Sequence, residues 1–259
     1  MFRKPLLLSV ATALLGPSAA LASDLTSFTT VTNTDVASFG IGYMRDTGTG
    51  TLNVSGVSGG VTAAYLFWHG PTNSTSPTAN ASVTFAGTDI LGTNIGFSSD
   101  NFWGYSNSQS YRADVTSLFT GNGSYSLTNF TDASANVNGA SLIIFYSDGN
   151  DANNQDVVLF NGNDANFENS YDALNWNAVL NGINYSGGAA SMTLHVSDGQ
   201  NFSSFDDGTL LLNGSPLASG GLFQGTACRW ARVRMSGTAD CGILRHTISP
   251  ASLSKATIT

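Results

Sequence analysis

The chain has 259 residues, a formal net charge of −8 at pH 7 and only 10% charged residues. Between Ser23 and Thr226 the basic residues are Arg45 and Arg112 alone, and lysine does not occur. A nucleic-acid groove needs a basic footprint, so that class is excluded, and attraction to anionic lipid headgroups fails for the same reason.

Taken in chain order, the first signal is a leader. Arg3 and Lys4 precede the apolar stretch Pro5–Gly16, which is shorter than the roughly 20 residues a bilayer span requires. Ala20 and Ala22 then satisfy the small-x-small rule of signal peptidase, placing a signal peptide at 1–22 and the mature start at Ser23. No second apolar run of membrane-spanning length follows, so no transmembrane segment is expected. Localisation is read as secreted, extracellular or cell-surface.

The mature sequence is rich in Gly, Asn, Ser and Thr, and Glu168 is its one glutamate. Helix surfaces favour Ala, Glu, Lys and Leu, so this vocabulary points to strands joined by polar turns. Strands are predicted at Val61–Trp68, Ala81–Gly87, Tyr125–Phe130, Ala140–Tyr146, Asp156–Gly162, Ser191–Val196 and Thr209–Leu212. The continuous apolar run Ala140–Tyr146 fits a strand buried on both faces. Asn161-Gly162 reads as a turn signal, and only Tyr171–Leu180 has the makings of a short helix. The stretch Ser82–Ile90 echoes Leu210–Leu217: a strand, a glycine turn, then an apolar residue three positions on.

The fold class is therefore all-β, an antiparallel β-sandwich built from two related units of which the second is truncated. The units are placed at 23–147 and 148–226. Residues 227–259 stand apart, with Cys228, Cys241 and five of the nine basic residues. Codons for Cys241–Ile248 can be chosen that, displaced by one nucleotide, read Trp-Asp-Ile-Thr-Thr-Tyr-Asp-Ile, in the style of the upstream chain. An out-of-frame, disordered tail is accordingly expected, ahead of a genuine basic arm or a disulfide.

Three motifs occur in order: Ala64–Trp68 (AYLFW), Asp114–Thr116 with Gly121–Tyr125, and Gly139–Tyr146 (GASLIIFY). Together they resemble an uncharacterised family of exported bacterial surface and adhesin-like β-sandwich domains, some of which end in a PEP-CTERM sorting signal. The resemblance runs from about Val61 to Gly214 and implies a jelly-roll-like sandwich and an extracellular place. It brings no catalytic residues, and the end of this chain departs from the pattern by lacking the sorting signal.

Candidate sites are few. Before the tail the histidines are His69 and His195, with no G-x-S-x-G elbow, so both are read as structural and no enzyme is expected. Fifteen aspartates precede the tail, and most sit beside Gly, Asn or Ser, where they cap turns. No cofactor is required. If the loop bearing Asp148, Asn150, Asp151 and Asp156 holds an ion, its oxygen-only chemistry makes that ion calcium. Phe102, Trp103 and Tyr105, in the loop Phe97–Gln109, form the best contact surface for a sugar, with capping of the sandwich end as the competing role. The function expected is a non-enzymatic structural or adhesion protein whose partners are extracellular polysaccharide or other surface proteins. A carbohydrate-binding module comes second and an extracellular hydrolase third.

Overall fold

The computed structural model describes residues 25–100, 103–165, 167–171, 174, 176–185, 187–188, 190–197 and 208–219, together with the strand backbones at 243–248 and 256–258. The leader at 1–22, Phe102, Cys228 and Cys241 lie outside the described residues.

All described regular structure is β, apart from one 3-10 turn at Thr116–Leu118. Ten strands carry the first body: β1 (Thr26–Ile41), β2 (Gly50–Val54), β3 (Gly60–Thr72), β4 (Ser82–Phe85), β5 (Thr88–Leu91), β6 (Thr93–Ser98), β7 (Asn107–Asp114), β8 (Gly123–Thr128), β9 (Gly139–Ser147) and β10 (Gln155–Asn161). They form an antiparallel β-sandwich. One sheet has the order β10-β1-β9-β3-β7-β6 and the other β2-β8-β4-β5.

Alternation explains which side chains meet between the sheets, because successive residues of a strand face opposite ways. Ala64, Leu66 and Trp68 of β3 point inward, as do Tyr111 and Ala113 of β7 and Leu142 and Ile144 of β9. Leu52, Val83, Phe85, Tyr125 and Leu127 answer from the other sheet. Aromatic rings organise this core. Trp68 stacks on Tyr111 at 5.5 Å and meets Phe130 edge-on at 5.6 Å, while Tyr125 lies between Phe85 and Phe119 at 5.4 and 5.1 Å. The run Ala140–Phe145 is buried on both faces, as its unbroken apolar sequence predicts.

The outer face of the larger sheet is covered by its own first strand. β1 is 16 residues long and changes neighbour midway, pairing with β10 over Thr26–Thr34 and with β9 over Asp35–Ile41. Asn33 sits at the break with φ 51°, a left-handed turn of the backbone. The β1–β10 ribbon thereby returns over the sheet, where Phe28 meets Tyr65 of β3 edge-on at 5.1 Å. The Arg112 guanidinium of β7 rests 3.4 Å above the same Phe28 ring and donates to Asn161 Oδ1. β10 thus carries the first sheet past residue 147 to Asn161.

A second, smaller core gathers Ala178, Leu180, Leu210 and Leu212 with Leu25, Phe160 and Met192. Its strands are β11 (Ala178–Leu180), β12 (Ala190–His195), β13 (Thr209–Leu212), β14 (Ser215–Ser219), β15 (Ile243–Ile248) and β16 (Ala256–Ile258). β11 and β13 pair with β16, and β12 with β15, so part of 227–259 has strand partners in the backbone.

Two sequence readings change here. Ala178–Leu180, expected to close a helix, is a strand, because pairing with β16 outweighs the helix preference of Ala and Leu. Asn161-Gly162 makes no hairpin, since β10 pairs with β1 and Asn161 is engaged by Arg112. The two-residue hairpins fall instead at Ala86-Gly87 and Asn213-Gly214, all four residues at φ between 49° and 79°.

Candidate functional site

Four loops meet at one end of the sandwich: 42–49, 73–81, 99–106 and 129–138. Amide side chains pin them together. Asn80 Nδ2 donates to Phe130 O at 2.9 Å, and the Asn80 carbonyl accepts the Trp68 indole N–H at 3.0 Å. Asn73 Oδ1 accepts both the backbone N–H and the hydroxyl of Ser106. Asn136 and Asp46 bond reciprocally, Asp46 N to Asn136 Oδ1 at 2.7 Å and Asn136 Nδ2 to Asp46 Oδ1 at 2.9 Å. Buried amides are worth their desolvation only when paired, and here they replace regular structure as the fastening of loops.

Trp103 and Tyr105 stand in this end, both partly exposed. The Arg45 guanidinium lies 3.3 Å above the Trp103 ring. Nε and Nη2 of Arg45 both donate to Asn138 Oδ1, which fixes the fork over the ring. Trp103 is therefore neither a buried plug nor a bare platform; one face carries a cation. Tyr105 N–H donates to Asp100 Oδ2 at 2.6 Å, which shapes the loop. Tyr43, two residues before Arg45, is 52% exposed and held at φ 59°, a strained setting for an aromatic residue. Sequence reasoning passed over Tyr43, Arg45 and Asn138. The rarity of basic residues was the signal that could have singled out Arg45.

The acidic loop lies at the opposite end, beside the start of β3. Asp148 Oδ1 accepts Asn150 N–H at 2.7 Å and Oδ2 accepts Asn153 Nδ2 at 3.1 Å, and these donors hold its carboxyl below the usual range. Asn150 Oδ1 accepts Ala152 N–H, Asp151 Oδ1 accepts Asn154 Nδ2, and Asp156 Oδ1 accepts Asn33 N–H at 2.9 Å. Asp148, Asn150 and Asp151 thus share one loop and Asp156 stands at the start of β10, and each of the four spends an oxygen on an N–H of the protein. Among the described residues no group of three or more His, Cys, Asp or Glu side chains forms a metal-ligand set. Millimolar calcium is expected to leave the melting temperature unchanged. A rise that disappears in Asp148→Ala would put an ion in this loop.

Of the two histidines that precede residue 227, His69 lies on the outer face of the first sheet, with Nδ1 2.9 Å from Ser197 Oγ. Burial, then the charge of Arg45, pushes its imidazole down to about 4. His195 ends β12. Among the described residues no helix is long and apolar enough to cross a membrane.

The site and fold together define an antiparallel β-sandwich domain with an amide-fastened loop end. Comparison with known protein families, curated proteins and solved structures finds no match for the chain.

Proposed function

We propose that the chain is a non-enzymatic, exported cell-surface or extracellular-matrix protein with a structural or adhesive role, akin to the surface domains it resembles. One observation carries the reading. Uncharged polar side chains, Asn73, Asn80, Asn136 and Asn138 among them, are spent on fastening the chain's own loops. A rigid, weakly charged body of that kind suits packing into an extracellular layer. The strand orders support a jelly-roll reading, since β1-β9-β3-β7 faces β2-β8-β4-β5 and β1 to β4 alternate between sheets. The matched hairpins at Ala86-Gly87 and Asn213-Gly214 support two related units. The test is surface labelling of intact producing cells with an antibody to the domain, joined to N-terminal sequencing. Accessible protein beginning at Ser23 is expected, and protein confined to the cytoplasm with Met1 retained would overturn the proposal.

The second reading, a carbohydrate-binding module, is favoured by exposed Tyr43 and partly exposed Trp103, which stand on loops of the same end of the sandwich. Trp103→Ala separates the two. Loss of the Arg45 stack should cost about 1 kcal/mol, within the range of partly exposed cation–π pairs, so the variant should stay folded. Affinity electrophoresis against a panel of polysaccharides is expected to show no retardation of either protein. Retardation of the parent that Trp103→Ala abolishes would make the module reading correct.

A further inference from the structure

We propose that His69 is an acid-release catch, holding Ser197, two residues beyond β12, against the outer face of the first sheet while the imidazole is neutral.

Trp68 fills the core, so its neighbour His69 points to the opposite face. His69 pairs with Ser110 of β7 on one side and Gly139 of β9 on the other. Both are small, which leaves room for a further group beside the ring. Ser197, two residues beyond β12, places Oγ 2.9 Å from Nδ1. Asn138 Nδ2 lies 3.5 Å from the same nitrogen. Since Asn138 spends Oδ1 on Arg45, its free function toward the ring is an N–H donor. Nδ1 is then the acceptor, and the imidazole proton resides on Nε2.

Protonation reverses that polarity. Nδ1–H would confront the Asn138 N–H, and a second positive charge would appear beside the Arg45 guanidinium. The Ser197 hydroxyl can turn from donor to acceptor, so the buried charge, and not loss of that one bond, is what drives Ser197 off the ring. Of the described charged side chains, Arg45 from the 42–49 loop is the one that acts on the ring. β7, β9 with its preceding residue, and the segment after β12 face it with Ser110, Gly139, Asn138 and Ser197, none of which ionises in the accessible range. Among the described residues, none of the neighbours named here is a carboxylate that could absorb the charge.

The catch joins separate cores. Ala190, Met192 and Leu194 of β12 pack in the second core, whereas His69 belongs to the first sheet. Releasing Ser197 frees the end of β12 without touching the residues between the two main sheets. The sign follows from linkage. The folded imidazole titrates near 4 and the unfolded one near 6.5, so the catch is intact above about pH 6.5 and is lost as pH falls toward 4.

Hydrogen–deuterium exchange on the whole chain tests this, with rates corrected for the intrinsic pH dependence of amide exchange. On going from neutral pH to about pH 4, amides of residues 190–197 should open about ten-fold or more, while those of β3 keep their protection. His69→Gln keeps a side-chain acceptor and cannot ionise, so its 190–197 segment should not respond to pH. Ser197→Ala should open that segment already at neutral pH. The proposal fails if His69→Gln responds as the parent does, if Ser197→Ala is unchanged at neutral pH, or if β3 opens together with β12. Should His69→Gln fold poorly, the C2–H titration of His69 in the parent decides: a midpoint near 4 is expected, and one near 6.5 overturns the catch.

Discussion

Trp68→Ala should lower the unfolding free energy by about 3–5 kcal/mol, the range for truncating a buried aromatic residue. Trp68 is 2% exposed and touches three kinds of partner at once. It stacks on Tyr111, meets Phe130 edge-on, and donates its indole N–H to the Asn80 carbonyl. Alanine removes the rings' support and leaves that carbonyl buried without its donor, which adds the desolvation cost of an unsatisfied group. Urea melting should show the lower midpoint with an unchanged slope. A loss under about 1 kcal/mol would mean that the core is not organised around this indole.

Gly59→Ala should cost about 3 kcal/mol, well above the usual effect of adding one methyl group at a surface position. Gly59 has φ +76°, and a Cβ there would press on the Ser147 carbonyl oxygen where β9 ends. Two penalties combine: the left-handed backbone that a side chain disfavours, and displacement of the Gly60–Ser147 pair that starts the β3–β9 ladder. Gly87→Ala provides the control. Its φ is +79°, but nothing lies within 4 Å of the added carbon, so it should lose about 1 kcal/mol, the backbone share alone. Equal losses at the two positions would show that the close approach to Ser147 has no energetic weight.

The strands that could be read from sequence are those whose two faces differ, or whose two faces are both buried. β3, β4 and β8 alternate inward apolar with outward residues, and β9 is apolar throughout. β1 escaped notice for a physical reason. Its sixteen residues serve two neighbours in turn, with a left-handed break at Asn33, so no single period runs through them. β5 and β6 are short segments of mixed polarity with no buried face long enough to leave a pattern. At the loop end, Trp103 and Tyr105 were visible as aromatics in a polar loop. Their surroundings were not, because Arg45 and Asn138 are 93 residues apart and His69 and Ser197 are 128 apart. Side-chain pairs at such separations leave no mark on local composition. Local signals misled where a distant strand decided the outcome, as β16 does for Ala178–Leu180 and β1 for Asn161.

The returning ribbon of β1 and β10 has a mechanical consequence. Thr26 pairs with Asn161 and Thr34 with Gln155, so both strands leave the body at the Thr26–Asn161 end. Tension applied between the chain before Thr26 and the chain after Asn161 would pull the strands apart sideways, loading one hydrogen-bonded pair at a time. Such a zipper yields at low force, whereas a ladder pulled lengthwise resists with all its bonds together. The first event under load would thus be a peeling of Thr26–Thr34 from Gln155–Asn161, with Phe28 leaving Tyr65 and Arg112. That would release roughly 50 Å of slack at about 3.3 Å per residue. β9 stays bonded to Asp35–Ile41 through that event, leaving the aromatic core between the sheets unstrained.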